Sequence, residues 1–510
     1  MTTVVFTLNG APVEATADGR TLLEALRSLG ITSAKDGCSP QGQCGCCTVW
    51  VDGAPRVACV TPLARIAGRA VTTLEALPDA PEWSARMCAT GGSQCGFCTP
   101  GIVMRLAAIP QPQRTDASVR QALLAHLCRC TGWNTIVEAA LMSAEAIPAS
   151  TGWSRHPDAA ARRAALEGGA PQQVSPAVAL GNGGFAADTA PADALVAVRD
   201  VHGEWVVGES LAAARQATGK VQGRRTTEPL QWPIEVPAGD WARTLQTTWT
   251  EPAYLEPDAA WCEPGGEPVG PLCNGGAFGG KTGGDVASAA RRLADEHGRT
   301  VLAVYSREDV VRLGPKRPPL AAGLRADGSG VVHVARTPGI AEAIRSVAPQ
   351  LFVEELDVAG PPTSAALRAA GWAEAAALMA PPDGWVTAPN GAMAHAAIDD
   401  AGQVHVRVSC GSPLDEAVLR SYCIGAVHMA LGWVRGEGIT VGDDGVPRDL
   451  TIRSFGVLRA VDMPTVHVHI DDAGDDAGPP VNGSDAVFAA VAAAAWRAGG
   501  FCPRWPTMRT

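Results

Sequence analysis

The distribution of cysteine constrains this chain more than any other feature. Fifteen cysteines occur in 510 residues, and ten of them lie between Cys38 and Cys130. The other five, Cys262, Cys273, Cys410, Cys423 and Cys502, stand singly and read as small buried hydrophobes. The N-terminus, MTTVVFTLNG, has no basic flank ahead of an apolar run. Clustered thiols in a chain of this kind point to metal or redox chemistry rather than to a disulfide scaffold, and a cytoplasmic location is expected. No stretch reaches the ~18 uninterrupted apolar residues that a membrane span requires. The balance of 41 basic against 52 acidic residues, net −11, supplies no basic field, so neither nucleic acid nor an anionic membrane is an expected partner. At ~150 residues per domain the length implies three to four units.

Val4, Phe6 and Leu8 alternate with polar residues up to Asn9-Gly10, and residues 13–17 continue in extended form, which predicts a β-hairpin. Thr21 and Glu24 make a capping box for a helix whose Leu22, Leu23, Leu26 and Leu29 share a face and which Gly30 ends. A second hairpin, residues 48–51 and 56–60, is expected about Asp52-Gly53. From residue 79 the period becomes helical: Thr99-Pro100 reads as N-cap and N1, Asp116 caps a helix along Val119, Leu123 and Leu127, and Thr135 with Glu138 opens another. Residues 148–182, rich in Ala, Gly, Pro and Arg, read as a linker, within which residues 157–166 have the makings of a short helix. Beyond them strands and helices mix, with a strand at 300–305 and helices at 285–297 and 422–434.

Two thiol constellations carry chemistry. The first is Cys38-SPQGQ-Cys44-GC-Cys47 with Cys59 after the second hairpin; the second is Cys95-GF-Cys98 with Cys128-R-Cys130. Each offers the four thiolates of a [2Fe-2S] cluster, and the first spacing is one residue longer than the plant-type C-x4-C-x2-C pattern. Cys46 is surplus and is set aside because adjacent side chains on a loop diverge. Tetrahedral zinc also takes four cysteines, usually as C-x2-4-C pairs, and remains the alternative at this point.

Together the two sets resemble the iron–sulfur subunit of the xanthine dehydrogenase, aldehyde oxidase and carbon monoxide dehydrogenase family, with QCGFCTPG and CRCTGW in the helical part. The resemblance covers essentially residues 1–150. It implies a β-grasp plant-type ferredoxin domain over 1–78 and a helical [2Fe-2S] domain over 79–147. Cys38, Cys44, Cys47 and Cys59 would hold one cluster, and Cys95, Cys98, Cys128 and Cys130 the other. It further implies that Gln94 and the region of Cys95 and Cys130 face a molybdenum pterin, while the first cluster passes electrons on to a flavin.

In the remainder, GGAFGGKT (275–282) satisfies the P-loop pattern, but a P-loop follows a buried strand and the preceding residues are full of Gly and Pro. The same residues resemble the GGGFGGK loop of the family's large subunit, which implies that Gly276, Phe278 and Gly279 approach molybdopterin. AYLEPDAAW (253–261), TVLAVYSRED (300–309), RSYCIGAVHMALGWV (420–434) and DLTIRSFGVLRAVDMP (449–464) keep the family's order. This half is short for a family large subunit, lacks an E-M-G-Q-G segment, and reads Val481-Asn482-Gly483-Ser484-Asp485 where the family has G-x-G-E. Asp485 is the one carboxylate near the place of the catalytic base.

The expectation is therefore an α+β multidomain protein: a β-grasp domain, a helical domain, a linker over 148–182, and a shortened mixed α/β molybdopterin-binding-like domain over 183–510. It would pass electrons from a molybdopterin centre through two [2Fe-2S] clusters during hydroxylation of an aldehyde or purine-like N-heterocycle. Molybdopterin would be held wholly here or shared with a partner chain. The expected partners are a small-molecule substrate, an FAD-binding subunit and a complete molybdopterin subunit. The alternatives are a self-sufficient hydroxylase using Asp485 as base and a non-catalytic electron-transfer scaffold that docks a catalytic partner.

Overall fold

The structure, a computed structural model, describes residues 2–143, 153, 156–271, 275–282, 284–379, 383–471 and 478–509. Cys273 lies outside the described residues.

The N-terminal hairpin forms as its turn chemistry requires. Thr2–Leu8 pairs antiparallel with Ala11–Ala17 through Asn9 and Gly10, both at positive φ. Thr2–Leu8 also pairs parallel with Ala70–Thr72, completing a five-stranded sheet in the order 11–17, 2–8, 70–72, 48–51, 54–57. Helix Leu22–Ser28 packs Leu22, Leu23 and Leu26 onto it behind the Thr21/Glu24 capping box, while Leu29, expected on the same face, is 40% exposed at the C-cap. The second hairpin is shorter than expected, because the chain leaves the strand at Val57 and turns through a 3-10 segment, Ala58–Val60, that carries Cys59 inward.

Helices Ala80–Thr90, Thr99–Ala107, Asp116–Ala122 and Asn134–Leu141 follow. Their starts differ from the sequence expectation by one residue or more. Thr115 caps the third in a box with Ser118, and Trp133, at φ 71, precedes the fourth with no side-chain cap. The third helix stops at Ala122, so Leu127 lies outside it.

Of the stretch read as a linker, the described residues 156–182 pack against the rest of the fold and include the short helix expected at 157–166. Helix Pro157–Gly168 buries Ala160 and Ala164 and also Arg163, which donates to Glu167 Oε1 (2.9 Å) and to the carbonyls of Pro413 and Val481 (2.9 Å each). A buried guanidinium with its donors satisfied costs little, and sequence composition does not reveal partners so far along the chain.

The rest builds three four-stranded sheets. Their orders are 205–208, 195–199, 301–304, 259–262; then 351–356, 330–335, 320–324, 243–246; then 385–387, 393–398, 404–409, 466–470. Helix Glu416–Arg435 is long and apolar enough to cross a membrane, but its apolar window is 94% buried in the fold, and it serves as a core helix. It packs against the Ala-rich helix Ser484–Ala498 on one side and the helical domain on the other. One hydrophobic cluster runs from Val4 through Trp133 to Trp505, so the two halves share a core.

Candidate functional site

All eight predicted cysteines are buried. In the first set the Cys38 thiol hydrogen-bonds those of Cys44 and Cys59, and Cys59 in turn meets Cys47. The loop turns the N–H groups of Gln41 and Gln43 toward Cys38 Sγ at 3.3 Å each, and Cys59 N–H toward Cys47 Sγ at 3.4 Å. Hydrogen bonds from the Cys44 and Cys59 thiols and from the Gln43 N–H hold Cys38 well below the usual thiol range.

In the second set Cys95 and Cys130 sulfurs lie 3.6 Å apart, and Cys98 meets Cys128. The Cys98 thiol and the Thr131 hydroxyl hold Cys128 down to about 6 against the opposing effect of burial. Each set therefore brings its thiols into pairwise contact in the interior, with donors aimed at sulfur, although among the described residues no three of them close on a single-ion site.

The two sets are joined. Leu127 N–H donates to Cys44 O at 3.0 Å, and Thr48 Oγ1 meets His126 Nε2 at 3.2 Å. Cys46, set aside on sequence grounds, is buried beside Cys44 and interacts electrostatically with Cys38, Cys47 and Cys128. Its side chain does not diverge from the loop interior; it occupies the space between the sets.

The C-terminal half clamps both loops, through residues that sequence reasoning did not single out. Arg307 reaches the carbonyls of Gly37 (2.5 Å), Tyr254 and Leu255 (2.8 Å each). Gln41 Nε2 donates to Leu450 O at 2.8 Å, and Arg453 Nε to Gln43 O at 2.9 Å. Arg129, between two cysteines of the second set, forms a bidentate pair with Glu437 at 2.6 and 2.7 Å and donates to Pro252 O at 2.9 Å. Planar fork geometry of this kind suits arginine. The only local signal for it was the basic residue inside C-R-C.

Gln94 Nε2 donates to Cys130 O (3.1 Å) and to Ser421 Oγ (2.9 Å) on the core helix. Two glycines permit the approach. A Cβ on Gly425 would stand 1.8 Å from Cys130 O, and one on Gly276, at φ +85, 3.0 Å from Cys130 Sγ. The glycine loop thus meets the second thiol set itself.

Behind that loop lies a cluster of paired charges. Arg368 stacks over the Phe278 ring at 3.8 Å and bonds Asp485 Oδ1 (2.9 Å) and Ser484 Oγ (2.8 Å). Arg317 stacks over Trp433 at 4.0 Å and grips Glu374 at 2.7 and 2.9 Å, while Lys316 pairs with Glu251 at 2.9 Å. The space left among Phe278, Arg317, Arg368, Trp433 and Glu437 is about 30 Å³. Asp485 does not line it.

A family model described as 2Fe-2S iron-sulfur cluster binding domain matches residues 1–74, and one described as [2Fe-2S] binding domain matches residues 73–141. The xanthine dehydrogenase iron-sulfur-binding subunit of Escherichia coli O157:H7 is 39% identical over 147 residues, 27% of this chain and 92% of that protein. The chain belongs to the molybdenum hydroxylase family. One subunit of the nicotinate dehydrogenase of Pseudomonas putida is 38% identical over 151 residues, 28% of this chain and 96% of that protein. This molybdenum hydroxylase chain covers only 11% of the length of the xanthine dehydrogenase of Emericella nidulans, 40% identical over 155 residues. In fold it resembles the aldehyde oxidoreductase of Desulfovibrio desulfuricans, with a TM-score of 0.70 at 14% identity over 97% of both chains. Its first 141 residues are a two-[2Fe-2S] electron-transfer module, and the sheets that follow are arranged as in that aldehyde oxidoreductase.

The family also implies molybdopterin, and the described residues beside Gly276, Phe278 and Gly279 do not fit it. A space of about 30 Å³ holds a water or two. The Phe278–Arg368 stack and the Arg317–Glu374 and Arg129–Glu437 pairs occupy the rest.

Proposed function

We propose that this chain is the electron-carrying member of a molybdenum hydroxylase whose catalytic pterin is held by another chain. Cys38, Cys44, Cys47 and Cys59 hold one [2Fe-2S] cluster, and Cys95, Cys98, Cys128 and Cys130 hold the second. Each cluster, when bound, takes up and releases one electron. The observation that carries the reading is the gathering of two buried four-thiol sets joined through Leu127 N–H and Cys44 O.

The chain's own residues tune and shield this path. The Gln41 and Gln43 N–H groups at Cys38 Sγ favour the reduced, more electron-rich state, as donors to cluster sulfur do. Gln94, Arg129, Arg307 and Arg453 fix the two loops against the C-terminal half, which acts as a reduced molybdopterin-like domain closed by its own ion pairs. Asp485 is committed to Arg368 rather than serving as a base. A molybdopterin chain acting on an aldehyde or purine-like heterocycle supplies electrons, and an FAD-binding chain takes them, in the cytoplasm.

Anaerobic reconstitution with iron and sulfide, followed by electron paramagnetic resonance of the dithionite-reduced chain, tests the assignment. Two distinct [2Fe-2S] signals are expected, with Cys47→Ala removing one and Cys128→Ala the other. Zinc in both sets and no paramagnetic signal would overturn it.

A further inference from the structure

A second cavity, of about 320 Å³, opens where the N-terminal module meets the segments around residues 185–212 and 256–304. Nothing in the electron path described above uses it. Its volume is that of a small-ligand site. Its apolar walls are Phe97, Phe185, Leu211 and Leu302, with the first two rings in edge contact at 5.0 Å. Phe97 lies between Cys95 and Cys98, and its ring edge comes to the same point beside Gly37 as the sulfurs of Cys44 and Cys46. One wall of the cavity is therefore a residue of the second set's loop whose ring lies close to the first set.

The polar lining converges at one end. The buried ammonium of Lys35 donates to Gly181 O (2.8 Å) and to Asp188, which also takes Arg27 at 2.6 Å. Glu256, 3% exposed, accepts Lys281 on Oε2 at 2.5 Å, and its Oε1 has no hydrogen-bond partner among the described residues. A buried carboxyl oxygen left unpaired is costly unless a ligand or a proton completes it. Burial pushes the Glu256 carboxyl up to about 7 against the pull of Lys281, so its protonated form is accessible near neutrality as a donor. Arg27 and Lys35 share the single carboxylate of Asp188, Arg20 pairs with Asp18, and the lining carboxylates Glu24 and Asp36 are taken by Arg215, with Glu209 on Arg299. Among the described residues each lining cation is already in an ion pair, which disfavours a phosphate, whereas a neutral aromatic ring bearing a carbonyl oxygen meets apolar walls and a carboxyl donor.

We propose that this cavity binds a quinone, placed to take electrons from the module. The proposal rests on the electron-transfer reading above. The two clusters, when bound and reduced, would supply the two electrons that, with two protons, convert a quinone to its hydroquinone. Glu256 gives one proton to a carbonyl oxygen and regains it from solvent, which also supplies the other.

The test uses the full iron-loaded chain with 1,4-naphthoquinone. Equilibrium dialysis of the oxidised protein should show one saturable site. Ala212→Trp and Ala187→Trp, which fill the cavity from its outer wall, should each weaken binding by about tenfold or more, or ~1.4 kcal/mol, at unchanged iron content. The dithionite-reduced protein should be reoxidised by naphthoquinone with the same loss in both variants, while ferricyanide, which needs no pocket, reoxidises all three alike. Non-saturable binding, or binding unaffected by both substitutions, would overturn the cavity proposal. Reoxidation by ferricyanide without naphthoquinone binding would sink it and leave the electron-transfer reading standing, whereas centres that cannot be reduced at all would strike that reading itself.

Discussion

Arg129→Met should destabilise the folded chain by about 3–5 kcal/mol, the usual cost of stranding one partner of a buried ion pair. The Arg129 side chain is 5% exposed and that of Glu437 1%, and the two meet through both guanidinium nitrogens at 2.6 and 2.7 Å. Removing the guanidinium leaves the Glu437 carboxylate buried and takes the donor from Pro252 O. Methionine keeps most of the volume, so the loss is electrostatic rather than a cavity effect. Arg129→Met/Glu437→Met removes both charges and should return to within ~1–2 kcal/mol of wild type. Differential scanning fluorimetry of iron-loaded protein reads this directly. At the ~2–4 °C per kcal/mol of a domain of 150–250 residues, the single variant should melt roughly 6–20 °C lower and the double variant only a few degrees lower. Equal shifts in single and double variants would mean that no charge is stranded, and the account of how the second thiol set is clamped would be wrong.

Further outcomes follow from other contacts. Gly425→Ala puts a methyl group 1.8 Å from Cys130 O, so the core helix must move off the cysteine loop; a loss of about 1–3 kcal/mol and an altered second paramagnetic signal are expected. Burial, aided by the nearby Arg129, depresses His428 from 6.5 to about 4. The unfolded chain therefore binds the proton first, and stability falls as pH drops below 6.5, by about 2 kcal/mol at pH 5. His428→Gln should flatten that slope in melts taken from about pH 7 to 5. Cys46→Ser should leave the iron content of both sets unchanged; loss of either signal would make Cys46 a ligand.

The features legible in the sequence were those set by neighbours in the chain. Asn9-Gly10, the Thr21/Glu24 box and the spacing of Cys38, Cys44 and Cys47 each fix geometry within a few residues, and each appears in the structure. What was missed depends on partners far along the chain. Arg163 is buried because Pro413 and Val481 supply carbonyls; a short helix was legible at 157–166, but composition gave no sign of what it packs against. Cys46 turns inward because the helical domain closes over the loop through Leu127. The glycine loop meets the second thiol set at Gly276, but the expected room beside Phe278 is taken by Arg368, 90 residues later in the chain, and no local pattern announces that stack. Asp485 looked available as a base only while its partner Arg368 was out of view.

Metal and cofactor analysis of the full chain, produced in cells that make molybdopterin and purified without oxygen, decides whether this chain carries electrons only or also holds the pterin. About four irons and four acid-labile sulfides per chain are expected, as two [2Fe-2S] clusters require, with molybdenum and pterin far below stoichiometric amounts. Stoichiometric molybdenum and pterin on the isolated chain would contradict it, because the space beside Phe278 would then have to open around a cofactor that the Arg129, Arg317 and Arg368 contacts now exclude.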